Sequence, residues 1–204
     1  MANLNILLVG VGGQGTILAS KILTHAALAQ GYTVKMSEIH GMAQRGGSVV
    51  TQVRLGEEVY SPVIDEGEAD IIIAFEQLEA YRSAHFLREG GVLIANTQKI
   101  SPLPVLIGAA TYPDTILANL KDKVKRFVEI DGLKLAAAAG NAKSTNVVLM
   151  GVLARFMDFP QEVWQDALKA RIPEKLLALN QKAFAFGYDY PGVAALLETV
   201  AGKE

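Results

Sequence analysis

The amino-acid sequence predicts an α/β protein: a Rossmann-like three-layer sandwich with a mostly parallel sheet, an inserted β-hairpin and C-terminal helices. Short, almost entirely apolar runs at residues 4–9 and 70–75 are typical of strands that are buried on both faces of a parallel sheet. A glycine-rich turn follows the first run and leads into a stretch of helical apolar spacing. The chain has 204 residues, 50% of them hydrophobic, which predicts a single domain over residues 1–204 with a helical extension from about residue 160.

The glycine-rich turn has the sequence GVGGQG, which contains the GxGxxG pattern, and a helix is predicted directly after it over residues 16–30. Glycines in such a strand–turn–helix unit let the backbone approach a ligand closely, and the helix N-terminus offers free N–H groups to an anion. The alternative is that the glycines only allow the strand and the helix to pack tightly. The candidate ligand-contacting residues of this turn are Gly10, Gly12, Gly13, Gln14 and Gly15.

A second strand is predicted over residues 33–36, parallel to the first after a right-handed crossover. Glu38 follows it, at roughly the 20-residue distance from the glycines at which dinucleotide-binding folds place a ribose-binding acid. No helical pattern comes next. Instead, residues 48–54 are β-rich, and residues 59–61 are predicted to return as the second strand of a hairpin that ends at Pro62. A hairpin in place of the second crossover helix disfavours a standard NAD-binding domain.

Residues 37–48, with the sequence SEIHGMAQRGGS, form the most distinctive polar segment of the chain. Ordinary turns rely on Ser, Asp, Pro and Lys, so this combination of a histidine, a glutamine, an arginine and paired glycines indicates a site. Arg45 can clamp an anion or carboxylate through two hydrogen bonds; alternatively it forms a surface ion pair, or Glu38 holds it in place. His40 is a candidate proton donor. The candidate site residues of this part of the chain are Glu38, His40, Gln44, Arg45, Gly46, Gly47 and Ser48.

The rest of the chain alternates between strand and helix patterns. The helix predicted at residues 145–157 is apolar nearly all round and is expected to be buried at the centre of the molecule. Asn146 at its start is either a capping contact, which we favour, or a site residue. Trp164 and Phe184 on later helices suit either a subunit interface or the core. Strands are predicted at residues 70–75, 92–96, 105–107 and 125–130, and helices at residues 76–88, 113–120, 133–139, 145–157, 161–170 and 174–186.

Composition excludes several classes of function. The sequence has no cysteine, so this chain has no disulfide, no thiolate nucleophile and no cysteine ligand for an iron–sulfur cluster or a zinc ion. No catalytic carboxylate pair, Ser/His/Asp order or HExxH motif is apparent, and no metal site is expected. A net charge of -2 without a basic block disfavours nucleic acid and anionic membranes as partners. The first apolar run is much shorter than a membrane span and lacks a preceding basic region, so a cytoplasmic location is expected.

The two glycine-bearing motifs, together with the sequence YSP at residues 60–62, resemble the gamma subunit or gamma domain of the 2-oxoacid:ferredoxin oxidoreductases. The motif at residues 37–48 is long and unusual, and it carries most of the resemblance. Within that family the likeness is greatest to the short subunits of the indolepyruvate oxidoreductases. It extends over most of the chain and weakens in the C-terminal helices.

The resemblance implies a non-cofactor subunit of an enzyme of anaerobic metabolism that oxidatively decarboxylates arylpyruvates such as indolepyruvate to an acyl-CoA. A large partner subunit would bind thiamine diphosphate and iron–sulfur clusters, coenzyme A would be the co-substrate and ferredoxin the electron acceptor. The chain would be inactive alone, where it can form a homodimer, and residues 37–48 would complete an intersubunit active site. The residues themselves leave a second hypothesis open, a stand-alone nucleotide-binding module or NAD-dependent reductase that uses the glycine-rich turn and Glu38.

Overall fold

The computed structural model describes residues 3–41 and 46–201, and the strands within them form one six-stranded sheet with helices on both faces. Across these described residues, no helix has both the length and the apolar character needed to cross a membrane. The strands are β1 (Leu4–Val11), β2 (Thr33–His40), β3 (Ser48–Gly56), β4 (Ala69–Ala74), β5 (Leu87–Asn96) and β6 (Arg126–Ile130). The helices are α1 (Thr16–Ala29), α2 (Gln77–Ser83), α3 (Leu103–Leu106), α4 (Ile116–Lys123), α5 (Gly132–Ala139), α6 (Thr145–Ala154), α7 (Gln161–Arg171), α8 (Glu174–Tyr188) and α9 (Pro191–Ala201).

The strand order in the sheet is β2-β3-β1-β4-β5-β6. β1, β4, β5 and β6 pair in parallel, whereas β3 runs antiparallel to both of its neighbours, β1 and β2. β2 therefore has the same direction as β1, but β3 lies between the two strands. These pairings confirm the predicted α/β class with a mostly parallel sheet in a three-layer sandwich.

The inserted hairpin is formed by different strands from those predicted. β3 continues to Gly56 and pairs with β2 along its length, and residues 59–61 do not form a strand. The predicted pairing of residues 48–54 with residues 59–61 is therefore wrong. Burial is the physical reason: Val53 and Leu55 are almost completely covered because β3 lies between two other strands, and this burial extends the strand two residues past its predicted end at residue 54.

The two faces of the sheet have separate cores. Ile6 and Leu8 of β1 face the larger core, which α1, α5, α6, α7, α8 and α9 complete, whereas Leu7 and Val9 face the smaller core under α2 and α4. Every residue of α6 after Thr145 is buried. The central buried helix is thus confirmed, and α6 is a rigid support for the elements that touch it.

Two short segments differ from the prediction. The helix expected over residues 76–88 ends at Ser83, and the chain has already joined the sheet at Leu87, which pairs with Ala69 of β4. Gly90 and Gly91, which follow the predicted helix, lie inside β5. Residues 105–107 do not form a strand either, because prolines at the start of α3 favour a helical turn there.

The aromatic side chains of the C-terminal helices belong to the core. Trp164 and Phe184 are both 0% exposed, and their ring centroids lie 6.1 Å apart. Phe159 and Tyr188 extend the row, with centroids 5.8 Å from Trp164 and 6.0 Å from Phe184 respectively. Aromatic pairs at these distances contribute packing energy beyond their buried area. The core alternative is therefore correct for Trp164 and Phe184.

Candidate functional site

The glycine turn, residues 10–15, joins the carboxyl end of β1 to the first turn of α1. Gly13 and Gly15 have φ angles of 104° and 81°, in the left-handed region where a side chain is strained. A Cβ atom at Gly10 would lie 3.0 Å from Cβ of Phe75. Backbone conformation therefore favours glycine at positions 13 and 15, and Phe75 leaves little room for a side chain at position 10. The turn presents the first N–H groups of α1 at the carboxyl edge of the sheet.

Gln14 holds the glycine turn in shape. Its Oε1 accepts a hydrogen bond from the Val11 N–H (2.7 Å), and its Nε2 donates to the Phe75 carbonyl (2.9 Å) and to Oε1 of Gln98 (3.0 Å). Asn96, which is fully buried at the end of β5, donates to the same Phe75 carbonyl over 2.9 Å. These side-chain amides join the carboxyl ends of β1, β4 and β5.

Asn146 connects the glycine turn to α6. Its Nδ2 donates to the Gly15 carbonyl over 3.1 Å, and the residue is only 4% exposed. The N-cap position of α6 is Ser144, which makes no side-chain capping hydrogen bond. The favoured capping interpretation of Asn146 is therefore wrong. Asn146 instead helps to hold the glycine turn in place, because its side-chain amide donates to the Gly15 carbonyl.

The glycine turn is hydrogen-bonded to the end of the polar segment at residues 37–48. The Gly12 N–H donates to the Gly47 carbonyl over 2.8 Å, and the Gly46 N–H donates to the Gly12 carbonyl over 3.3 Å. Gly46 has a φ of 78°, so glycine is favoured there as well. The structure thus brings together two motifs that are separated by the whole of α1 and β2.

The other candidates from residues 37–48 are distributed over three parts of the chain. Glu38 and His40 are the last residues of β2, and Ser48 is the first of β3. The Ser48 hydroxyl donates to Oε2 of Glu79 on α2 over 2.5 Å. Gln44 and Arg45 belong to residues 42–45, which lie outside the part of the chain that the structure describes.

One side of the glycine turn opens into a cleft of about 360 Å³, the His40 cleft, which also contains Glu38 and His40. Oε1 of Glu38 lies 3.5 Å from Oγ of Ser20 on α1, and Nδ1 of His40 lies 3.2 Å from the Gly41 carbonyl oxygen. Ile17 supplies an apolar wall. Glu38 therefore lies beside the glycine turn, as its spacing suggested, although β3 separates its strand from β1.

The other side of the glycine turn opens into a second cleft of about 560 Å³, the Gln98 cleft. Gln98 is one of its polar lining residues, Lys143 comes from the short turn before α6 and Thr145 from the first position of that helix, and Ile100 and Leu133 supply apolar walls. No side-chain ion pair of Lys143 occurs among the residues that the structure describes. The Gln98 cleft therefore combines a cation, amide groups and apolar surface around the same glycine turn.

Sequence reasoning missed the polar residues of the Gln98 cleft. Lys143 and Gln98 stand in irregular segments without a motif, 45 positions apart, and only the fold brings them to one turn. One usable signal exists: residues 96–97 end a parallel strand, and open α/β sheets bind ligands beyond the carboxyl ends of their strands. In the described ranges, no cluster of three or more His, Asp or Glu side chains is arranged to hold a metal ion.

The buried carboxylate of Glu76 anchors the outer wall of the Gln98 cleft. One of its oxygens accepts hydrogen bonds from the Ile100 N–H (3.0 Å) and the Tyr112 hydroxyl, and the other caps α2 by accepting from the N–H groups of Leu78 and Glu79. Burial, followed by the hydrogen bond to Glu76, raises the pKa of the Tyr112 hydroxyl above its usual value. The segment after β5 is thus fixed to α2.

We expect Tyr112→Phe to lower the free energy of unfolding by about 1–3 kcal/mol, because it removes a donor from a buried carboxylate. The Tyr112 pKa is raised in the folded state. The contribution of the Tyr112 hydroxyl to the free energy of unfolding is therefore complete below the ordinary tyrosine pKa of about 10, and it is lost as the pH rises from there towards the raised pKa of the folded state. Urea unfolding at neutral and alkaline pH should show the gap between wild type and variant narrowing. Tyr81→Phe, at a side chain 49% exposed, is the control, and a pH-independent gap would contradict the assignment.

Comparison with known proteins relates nearly the whole chain to subunits of ferredoxin-dependent oxidoreductases. The model of the family described as pyruvate ferredoxin/flavodoxin oxidoreductase matches residues 5–190. The chain is 42% identical to the indolepyruvate oxidoreductase subunit IorB of Thermococcus kodakarensis, covering 92% of this chain and 95% of the relative. The IorB subunit of Archaeoglobus fulgidus is 43% identical, covering 91% and 94%. The common gamma subunit of the pyruvate/ketoisovalerate oxidoreductases of Pyrococcus abyssi is 27% identical, covering 85% and 89%.

A solved structure of a gamma subunit of a ferredoxin oxidoreductase has the same fold as this chain. The gamma subunit of a keto/oxoacid ferredoxin oxidoreductase from Geobacter sulfurreducens superposes with a TM-score of 0.69 at 25% sequence identity. The superposition covers 94% of this chain and 99% of that subunit. Nearly all of the fold of this chain is therefore also found in that gamma subunit.

Proposed function

This chain belongs to the pyruvate ferredoxin/flavodoxin oxidoreductase family, and from that premise we propose that it is the small subunit of a ferredoxin-dependent oxidoreductase acting on arylpyruvates such as indolepyruvate. One observation carries the substrate class: identity is 42% to an indolepyruvate oxidoreductase subunit but 27% to a pyruvate/ketoisovalerate gamma subunit. The reaction would release carbon dioxide, join the remaining acyl group to the thiol of coenzyme A and pass the electrons to ferredoxin.

In this proposal the redox and carbanion chemistry belongs to a large partner subunit. The chain contains no cysteine, so it does not fit an iron–sulfur cluster held by thiolates, and the clusters and thiamine diphosphate are assigned to the partner. The chain itself is taken as a single gamma-type domain over residues 1–204, with the helices from about residue 160 as its extension. A cytoplasmic location and a homodimer of the isolated chain complete the proposal.

The contribution of this chain is to shape the cavity for the 2-oxoacid or for coenzyme A at the contact with the partner. Both ligands carry anionic groups, the carboxylate of the 2-oxoacid and the phosphates of coenzyme A. The N–H groups at the start of α1 and the ammonium group of Lys143 favour an anion at the glycine turn. Gly10, Gly12, Gly13, Gln14, Gly15, Glu38, Gln44, Arg45, Gly46, Gly47 and Ser48 are the proposed contact or shaping residues, and His40 and Arg45 are the candidates for a catalytic role.

Reconstitution tests the proposal. The isolated chain should neither bind NAD nor oxidise indolepyruvate, whereas the chain copurified with its large partner should reduce ferredoxin when indolepyruvate and coenzyme A are supplied. Tight NAD binding by the isolated chain, measured by calorimetry, would support the reductase hypothesis instead. The sheet order argues against that outcome, because β3 lies between β1 and β2, whereas dinucleotide-binding sheets pair these two strands directly.

We expect Arg45→Ala to leave folding intact and to lower kcat/KM of the assembled enzyme by at least about 10-fold, because a cation that orients an anionic ligand contributes roughly 1.5–3 kcal/mol through charge-assisted hydrogen bonds. Circular dichroism and ferredoxin reduction check the two parts. Arg171→Ala, at an exposed position in the last turn of α7, is the matched control. Loss of folded protein on Arg45→Ala would indicate a structural role for this arginine.

A further inference from the structure

Glu79 is a buried carboxylate that the proposed function does not yet employ. It lies in the first turn of α2, and its side chain is 4% exposed. One carboxylate oxygen accepts from the Ser48 hydroxyl over 2.5 Å, and the other lies 2.6 Å from a guanidinium nitrogen of Arg82. A buried charge is costly unless it is paired and hydrogen-bonded. These two contacts are what allow a carboxylate to remain at this position.

The partners of Glu79 differ in what they connect. Arg82 is three residues away on the same helix and has half of its side chain in solvent, so it neutralises Glu79 without linking distant parts of the chain. Ser48 is 31 positions away in the sequence and is exposed at the start of β3. The Ser48–Glu79 hydrogen bond therefore attaches a surface segment of the candidate site to a helix of the smaller core.

The attached segment is the one that contacts the glycine turn. Ser48 directly follows Gly46 and Gly47, whose backbone groups exchange hydrogen bonds with Gly12. Gly46 has a left-handed φ of 78°, and glycines lose much backbone freedom when they are held in one conformation. A fixed point directly after the glycine pair limits the conformations available to it. The Ser48–Glu79 hydrogen bond supplies such a point.

We propose that Glu79 is a positioning residue of the candidate site: by accepting the Ser48 hydrogen bond, it holds Gly46 and Gly47 against the glycine turn, whose residues line both clefts. The activity part of this inference rests on the proposed function. Displacements of about 1 Å in a site can lower activity by roughly 100-fold, so a residue that does not touch the ligand can still set the rate. Neither the motifs nor the spacing of the sequence pointed to Glu79.

The test uses Ser48→Ala, Glu79→Gln and the double variant in the chain copurified with its partner. Each single change should lower kcat/KM for ferredoxin reduction by about 10-fold. A decrease of this size corresponds to the loss of one hydrogen bond to a charged group. The double variant should lose no more than the larger single loss, because both changes remove the same contact. Ser48→Thr keeps the hydroxyl and should lie closer to wild type than Ser48→Ala. Arg82→Lys keeps the charge beside Glu79 and is the matched control.

Hydrogen exchange in the isolated chain supplies a readout that does not depend on activity. The Gly12 amide, which donates to Gly47, should exchange about 10-fold faster in Ser48→Ala and Glu79→Gln, with amides of β4 unchanged, because only local opening is made easier. Unchanged Gly12 exchange with unchanged kcat/KM would overturn the positioning role. Faster exchange across all strands would also overturn it, in favour of general destabilisation. If wild-type enzyme reduces no ferredoxin, the proposed function fails, while the exchange result still decides the role of Glu79.

Discussion

Replacing Gly187 with alanine is expected to lower the free energy of unfolding by about 3 kcal/mol, at the upper end of the usual cost of overpacking a core. A Cβ atom at this position would lie 1.9 Å from the backbone oxygen of Val148. The obstacle is main chain of the buried helix α6, which cannot rotate away as a side chain can. Urea unfolding of the isolated chain measures the loss.

The reason for this large effect is a direct contact between two helix backbones. On the facing helix, a Cβ atom at Gly151 would lie 2.1 Å from the backbone oxygen of Phe184, so α6 and α8 approach through glycine on both sides. The distance between packed helices depends on the side chains at their contact. Alanine at either glycine would force the helices apart and open gaps beside Phe184, a fully buried side chain. Core packing would then be lost on both helices.

Gly41→Ala is the matched control for Gly187→Ala. Among the residues that the structure describes, none has an atom within 4 Å of a Cβ atom built at Gly41, and the φ of Gly41 lies outside the left-handed range. This variant should change the free energy of unfolding by no more than about 0.5 kcal/mol. If the Gly187→Ala protein were as stable as the Gly41→Ala protein, α6 and α8 would have to lie farther apart than these Cβ distances imply.

Gly15→Ala is expected to lower kcat/KM of the assembled enzyme by about 100-fold, because it displaces the glycine turn on which both clefts depend. Gly15 has a φ of 81°, and a Cβ atom there would lie 2.6 Å from Nδ2 of Asn146. Alanine therefore adds backbone strain and collides with the amide that supports the turn. Steady-state ferredoxin reduction by the copurified subunits measures the effect.

A second substitution separates the two causes. Asn146→Ala removes the colliding amide, so the double variant Gly15→Ala, Asn146→Ala should recover part of the lost activity while keeping the strain of about 1 kcal/mol from the left-handed alanine. Asn146→Ala alone should reduce activity, because the Gly15 carbonyl loses its donor. Equal activity of Gly15→Ala and wild type would show that the turn does not shape the catalytic site.

Elements whose signals are local could be predicted from the amino-acid sequence alone. The apolar run of β1, the glycines that follow it and the helical spacing of α1 are contiguous, so the strand–turn–helix unit could be predicted with nearly the observed bounds. The apolar character of α6 determined its burial in the same way. Both motifs of the candidate site were also visible, because their residues adjoin one another along the chain.

Features that depend on contacts between distant parts of the chain could not be predicted and are seen only in the folded protein. The position of β3 between β1 and β2 buries Val53 and Leu55 against two neighbouring strands, and the sequence around residues 48–61 does not indicate which strands these are. The supports of the site likewise join distant positions, Ser48 to Glu79 over 31 residues and Asn146 to Gly15 over 131. A hydrogen bond from a side chain to a partner far away in the sequence leaves no periodic pattern in that sequence, because the fold alone brings the two groups together. The motifs of the candidate site could therefore be predicted from the sequence, whereas the residues that position them, Glu79 and Asn146, could not.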